Sequence, residues 1–271
     1  MSLLETLTSS EIVDLSLELA QDLPCVWPGH MPFTHQIGNW FEHRPDADPP
    51  LSGRLGSYQT RWMTIDEHTG THLDAPTHGV APPDSGLPSA GVHGDVSVRE
   101  VPLDQVRGEA VVVDATGMGG SADAPAPVVS AELLTAFERA HGRFGPKTVP
   151  LMRTGWDVHY RADDAGRRYV RDPLAGAAPG WPALTEAAMQ LLVERGVRCV
   201  GTDAPSIGTA GNGGPVHDIG FAHGLVFVEG LANLAALPVR GSYFMAMPLK
   251  LRGGTGSPVR AIAVVAGQAA R

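Results

Sequence analysis

Four side chains able to bind a divalent cation fall within eleven residues, in the segment His68-Thr69-Gly70-Thr71-His72-Leu73-Asp74-Ala75-Pro76-Thr77-His78. Imidazole nitrogens and carboxylate oxygens suit Zn²⁺, Mn²⁺ and related ions. His68, His72, Asp74 and His78 share one parity, so in an extended chain they leave the same face. A helix would part them, because Asp74 lies about 200° around the axis from His72. Gly70, Pro76 and the threonines also oppose a helix. A straight strand fails too. Ten steps of about 3.3 Å would put His68 and His78 roughly 33 Å apart, whereas ligands sit about 2 Å from a shared ion. The chain is therefore expected to bend twice, at Gly70, which reaches backbone angles closed to other residues, and at Pro76, which keeps Ala75 extended. The reading is a strand ending near Asp66, then a bent loop folding His68, His72 and Asp74 around one metal. His78 falls just past the second bend.

A second chemical block lies at Gly224-Leu225-Val226-Phe227-Val228-Glu229. The apolar run reads as a strand buried on both faces. A carboxylate at its end is costly unless a charge meets it; a metal ion or an arginine would serve.

The elements that must position these groups are legible in outline. Ile12 to Leu17 reads as a short strand, and Trp62 to Glu67 as the strand that delivers the histidine-rich loop. Gly108 to Asp114, Thr148 to Arg153 and Val197 to Gly201 read as further strands. Ser130 caps a helix running to Ala140, and Thr185 to Arg195 is a helix stopped by Gly196. Trp27, held between Pro24 and Pro28, suits the wall of a site for a flat ligand or the edge of the core. Met31 to Tyr58 reads as a long irregular loop with hairpin pieces, of the kind that covers a site or an interface. His30, His35, His43 and His93 lack ordered spacing and read as loop residues, as does Gly79 to Gly94. Gly253 to Arg260 reads as a tight turn beside the site, without the lysine of a phosphate-binding loop.

Composition narrows the function classes. The 271 residues are 43% hydrophobic and carry a formal net charge of −9, enough for a sizeable core and unsuited to nucleic acid or anionic membrane. Cys25 and Cys199 make no disulfide framework. The first nineteen residues show no basic n-region and no long apolar run, so a cytoplasmic location is expected. No stretch reaches the 18 or so apolar residues of a membrane span.

The pattern His68-x-Gly70-Thr71-His72-x-Asp74-x-Pro76-x-His78 resembles the signature of the metal-dependent cyclase family, which includes bacterial kynurenine formamidases and isatin hydrolase. Further blocks match between about Ile12 and Val265: Trp27-Pro28-Gly29, Leu151-Met152-Arg153-Thr154-Gly155-Trp156, Thr202-Asp203-Ala204-Pro205-Ser206, and His217 followed twelve residues later by Glu229. The resemblance implies one domain over residues 1–271. Its fold would be α/β (α+β), a swivelling β/β/α arrangement with a mixed sheet and flanking helices, assembled as a dimer or tetramer. It implies that His217 and Glu229 join His68, His72 and Asp74 in holding one or two Zn²⁺ or Mn²⁺ ions, and that Trp27 contacts substrate. Such an ion would activate water, with His78 as proton shuttle rather than ligand. The expected activity is cleavage of a C–N bond in a small cyclic or aryl amide, isatin-hydrolase-like. The alternatives are a kynurenine formamidase, a lactone or ester hydrolase of the same family, and a non-catalytic protein stapled by its metal. Asp203 is open between a role behind the metal and the bracing of a loop, Arg153 is expected to be structural, and His223 is left outside the ligand set.

Overall fold

A computed structural model describes residues 3–118 and 127–266. Met1 and Ser2, at the head of the stretch inspected for a leader, lie outside the described residues. The strands are β1 (Glu11–Asp14), β2 (Thr34–Asn39), β3 (Thr60–Thr64), β4 (His72–Asp74), β5 (Arg107–Asp114), β6 (Val128–Val129), β7 (Thr148–Arg153), β8 (Ala183–Leu184), β9 (Cys199–Thr202), β10 (Val226–Glu229), β11 (Ser242–Pro248) and β12 (Gly256–Val265). The helices are α1 (Leu3–Ser9), α2 (Ala131–His141), α3 (Arg171–Leu174), α4 (Glu186–Glu194) and α5 (Gly214–Ala222).

Eight strands form one mixed sheet in the order β1-β12-β11-β5-β7-β9-β10-β4, and β12 pairs with β4 as well. The strands from β12 round to β4 therefore make a closed circuit. Its centre is parallel, β5 with β7, β7 with β9 and β9 with β10, and its flanks are antiparallel.

Strand parity divides the side chains between two cores. Along β5, Ala110 and Val112 point into the circuit, while Val111 and Val113 point out towards the helices. Along β10, Val226 and Val228 point in and Phe227 points out. The outward face is covered by Leu134 of α2, Ala188, Met189 and Leu192 of α4, and Val216 and Phe221 of α5. Each fully buried side chain of this size stabilises the fold by about 1.5–3 kcal/mol.

The helices form where their caps dictate. Ser130 Oγ accepts from the Leu133 amide and Thr185 Oγ1 from the Ala188 amide, which satisfies amides otherwise left open in a first turn. Gly196 ends α4 at φ +72°, a conformation that favours glycine.

Two expectations near the site are corrected. The strand leading to His68 ends at Thr64 and pairs only with β2, as an exposed hairpin. His72 to Asp74 is not a bent loop but the strand β4, buried throughout and clasped between β10 and β12. Three residues are too few for period-2 alternation to show in the sequence. The two bends do occur where expected: Gly70 has φ +62°, and Ala75 is extended before a 3₁₀ turn over Pro76–His78.

Candidate active site

Register brings the first donors together. Glu229 lies opposite His72, and Phe227 opposite Asp74, in the antiparallel pairing of β10 with β4. Opposed residues on one face stand about 4.5–5.5 Å apart at Cβ. Leu73 and Ala75 point into the circuit, so His72 and Asp74 take the outer face, the same face as Phe227 and Glu229. His72 Nε2 lies 3.3 Å from Asp74 Oδ1 and 3.7 Å from Glu229 Oε2. Its Nδ1 sits 2.9 Å from the Gly70 carbonyl, and a carbonyl only accepts. Nδ1 therefore carries a proton, and Nε2 is the nitrogen turned to the carboxylates.

The remaining donors come from outside β4 and β10. His68, one bend upstream, places Nδ1 2.7 Å from Asp74 Oδ1. His217 comes from α5, with Nε2 3.1 Å from Glu229 Oε1 and Nδ1 2.8 Å from the Gly213 carbonyl. Phe221, one turn further along α5, meets the rings of both His217 and His78. The helix comes this close to the sheet because a Cβ at Gly220 would sit 2.3 Å from Phe227 Cζ. His78, at the end of the 3₁₀ turn, stacks on His68 with ring centroids 4.1 Å apart.

Asp74 is the hub. Ligand atoms of His72, Asp74 and Glu229 lie within 4.8 Å of one another, and so do those of His68, Asp74 and His78. The two groups share one carboxylate. The donor chemistry fits a divalent ion, since two buried carboxylates converge with four imidazoles and no arginine or lysine takes part. The arginine partner open to Glu229 in the sequence is replaced by His72, His217 and the Ile207 amide at 2.7 Å. His78 thus stands nearer a ligand position than the sequence reading placed it.

The electrostatics show how strongly these groups feel one another. Burial alone would lower the pKa of His72, but the charges of Asp74 and Glu229 overcome it and lift it to about 9. Burial likewise opposes protonation of His217, and Glu229 raises it to about 9. Asp74 is held well below the usual carboxylate range by His72 and His68, although burial pushes the other way. The acids thus favour positive charge in their midst, and a cation is one way to supply it. His78 differs. The residue is exposed, yet the partial desolvation of its ring lowers its pKa, which favours the neutral, proton-accepting imidazole.

These groups line a cavity of about 410 Å³. Trp27 forms part of its wall and meets Trp181 edge to face at 6.0 Å. Trp27 also packs against the cluster of Trp156, Tyr169 and Trp181. His30 lines the cavity too, tied to Asp66 at 3.2 Å, but outside both donor groups. His35 and His43 are exposed, and His223 bonds the Ile219 carbonyl, away from the donors. Asp203 braces a turn: it accepts from the Thr154 amide and hydroxyl and from the Gly155 amide. Arg153 pairs with Asp114 at 3.1 Å, a structural contact. Sequence reasoning passed over Glu67 and Thr255, which stand directly behind His68. The only signals were an acid next to a candidate ligand and a hydroxyl in a glycine-rich turn.

Comparison with known proteins agrees with this geometry. Residues 13–209 match the family model named Cyclase. Isatin hydrolase of Roseibium aggregatum is 32% identical over 225 residues, which cover 81% of this chain and 78% of the relative. Kynurenine formamidase of Erythrobacter litoralis is 30% identical over 253 residues, covering 93% of this chain and 92% of the relative. Among solved structures, isatin hydrolase A from Labrenzia aggregata bound to benzyl benzoate superposes with a TM-score of 0.76 at 29% identity, over 96% of this chain and 95% of that one.

Proposed function

The chain belongs to the cyclase family, and from that premise we propose that residues 1–271 act as one metal-dependent hydrolase domain that opens a small cyclic amide of the isatin type. The observation that carries this reading is the shared carboxylate, Asp74, in contact with His68 and His72 at the floor of an open cavity. His68, His72, Asp74, His217 and Glu229 are the residues that would hold one or two divalent ions, Zn²⁺ or Mn²⁺. When bound, such an ion supplies Lewis-acid polarisation of a carbonyl and lowers the pKa of water.

The chain's own residues do the rest. Trp27 and Phe221 give the cavity flat apolar walls for an aryl ring. His78, neutral near pH 7, takes a proton at an imidazole nitrogen during attack and returns it to the leaving nitrogen, work worth roughly 10²–10⁴ in rate. The Glu229 carboxylate, fixed by the Ile207 amide, keeps His217 in place.

The test is the purified protein with its metal content measured, assayed on isatin and on N-formylkynurenine side by side, before and after chelation. Isatin opening that disappears on chelation and returns with Zn²⁺ or Mn²⁺ is expected. Activity that outlives complete metal removal would overturn the reading. The second reading is a kynurenine formamidase, favoured by the convergence of His217 and Glu229 and by the formamidase relatives; faster turnover of the formyl substrate would select it.

The protein is further proposed to be cytoplasmic and homo-oligomeric. No helix among the described residues is long and apolar enough to cross a membrane. The β2–β3 hairpin exposes Trp62 and Met63 at 49% and 60%, the kind of apolar surface that marks a contact between subunits. Analytical ultracentrifugation decides it: a species at monomer mass at micromolar concentration would exclude the oligomer.

A further inference from the structure

His68 is gripped from behind as well as from the cavity. Its Nε2 lies 3.0 Å from Thr255 Oγ1. That hydroxyl lies 2.8 Å from Glu67 Oε2. The same carboxylate oxygen accepts from the Thr255 amide at 2.8 Å and the Gly256 amide at 3.3 Å. Three donors converge on one oxygen, so Glu67 acts there as an acceptor. The single proton of the Thr255 hydroxyl is directed to Glu67, because an oxygen lone pair facing the carboxylate at that distance would be repelled. What the hydroxyl turns to His68 is then a lone pair, and Nε2 must be the donor. Nδ1, on the opposite side of the ring, lies 2.7 Å from Asp74 Oδ1, so without a cation it too carries a proton, and it is this Nδ1 proton, not the one on Nε2, that a cation beside Asp74 would displace.

The ring is also fixed in plane. A Cβ at Gly256 would sit 2.5 Å from His68 Cε1 and 2.9 Å from Nδ1, so only glycine lets the start of β12 lie against the imidazole. Glu67 therefore joins two segments far apart in sequence, the approach to β4 and the approach to β12, at the point where both touch His68.

We propose that Glu67 and Thr255 are positioning residues that lock His68 in the tautomer protonated at Nε2, so that it offers Nδ1 to the metal. This rests on the reading of His68 as a ligand. A carboxylate behind a ligating histidine, here acting through a hydroxyl, orients the ring and raises its basicity, and its loss typically costs 10–100-fold in metal affinity. The prediction for this chain is that Thr255→Val and Glu67→Gln weaken Zn²⁺ binding by roughly that factor, while Thr255→Ser, which keeps the hydroxyl, retains wild-type affinity.

The experiment has two parts. Long-range ¹H–¹⁵N spectra of the wild-type imidazoles, with His68→Ala to assign the signal, report which nitrogen carries the proton before and after Zn²⁺ is added. A proton on Nε2 in both states is expected; a zinc complex with the proton on Nδ1 overturns the proposal and needs no altered relay residue. Chelator competition then gives Zn²⁺ affinity for the variants, each confirmed by circular dichroism to keep the wild-type fold. Thr255→Val matching wild type would overturn the relay while leaving the site intact. His68→Ala binding Zn²⁺ as tightly as wild type would instead remove the ligand reading beneath it, and the two failures are distinguishable.

Discussion

Two strands, β3 and β4, lie close in sequence and behave in opposite ways. β4 sits between β10 and β12, and all three of its residues are buried. β3, seven residues upstream, pairs only with β2, and all five of its residues are exposed. Both are short and polar by composition. The difference lies in their neighbours: a strand held on both edges cannot slide without moving two others, so its side chains are placed to within fractions of an ångström. A strand held on one edge by a hairpin of its own has no such constraint. The first kind suits His72 and Asp74, which meet Glu229 across the pairing of β4 with β10.

The largest expected effect tests the buried pair directly. Asp74→Ala removes the carboxylate both donor groups share and leaves His68 and His72 without their common partner. Removing one member of a buried charged network costs about 3–5 kcal/mol, so metal binding and turnover should both fall below detection by metal analysis and assay. An active, metal-loaded Asp74→Ala protein would mean that β4 is not the centre of the site.

His78→Ala comes next. Turnover should drop roughly 10²–10⁴-fold while metal content survives. Loss of metal together with turnover would instead make His78 a ligand, as its place in the group with His68 and Asp74 permits.

A smaller effect concerns the brace beside the site. Burial pushes the Asp203 carboxyl up to about 6, against the pull of the Thr154 and Gly155 donors. A carboxyl whose folded pKa exceeds its ordinary value near 3.8 favours the fold below that value. The contribution is lost as pH rises through about 6. Asp203→Asn should flatten the stability slope between about pH 4 and pH 6 in urea unfolding. At pH 7 the variant loses only the acceptor for the Gly155 amide, worth about 1–3 kcal/mol, and this is offset by removal of the buried charge, so the slope and not the stability at pH 7 is the readout. An unchanged slope would place the titration elsewhere.

The smallest effect belongs to the exposed hairpin. Trp62→Ser with Met63→Ser should leave the stability of the fold within about 0.5 kcal/mol while shifting the sedimentation profile towards monomer. A large loss of stability would show that the hairpin packs into the core after all.

How much of this was legible in the sequence follows the same division. The bend at Gly70 and the cap at Ser130 act over a few residues, and the structure reproduces both; the shared parity holds along the extended chain only for His72 and Asp74. His217 and Glu229 could be joined to that motif only through resemblance, because nothing local tells a helix that it will cross a strand. β4 was hidden because its pairing is entirely long-range: residues 72–74 meet residues 227–229 and 256–258. The contact of Glu67 and His68 with Thr255 was hidden for the same reason, since Thr255 follows Glu67 by 188 residues. Asp203 had a location in the sequence but no partner, and its partners, Thr154 and Gly155, lie in the turn just past the end of β7, the strand that pairs with β9.

The closed circuit of strands has one more consequence, for change over time. Trp27 and the turn near Gly213 lie outside it, and so does the exposed β2–β3 hairpin. None of them supplies a rung of the ladder that holds Asp74, although the Gly213 carbonyl steadies His217. A chain built this way can be re-tailored to a new small molecule by editing its rim alone, and laboratory libraries aimed at altered selectivity should sample those segments first.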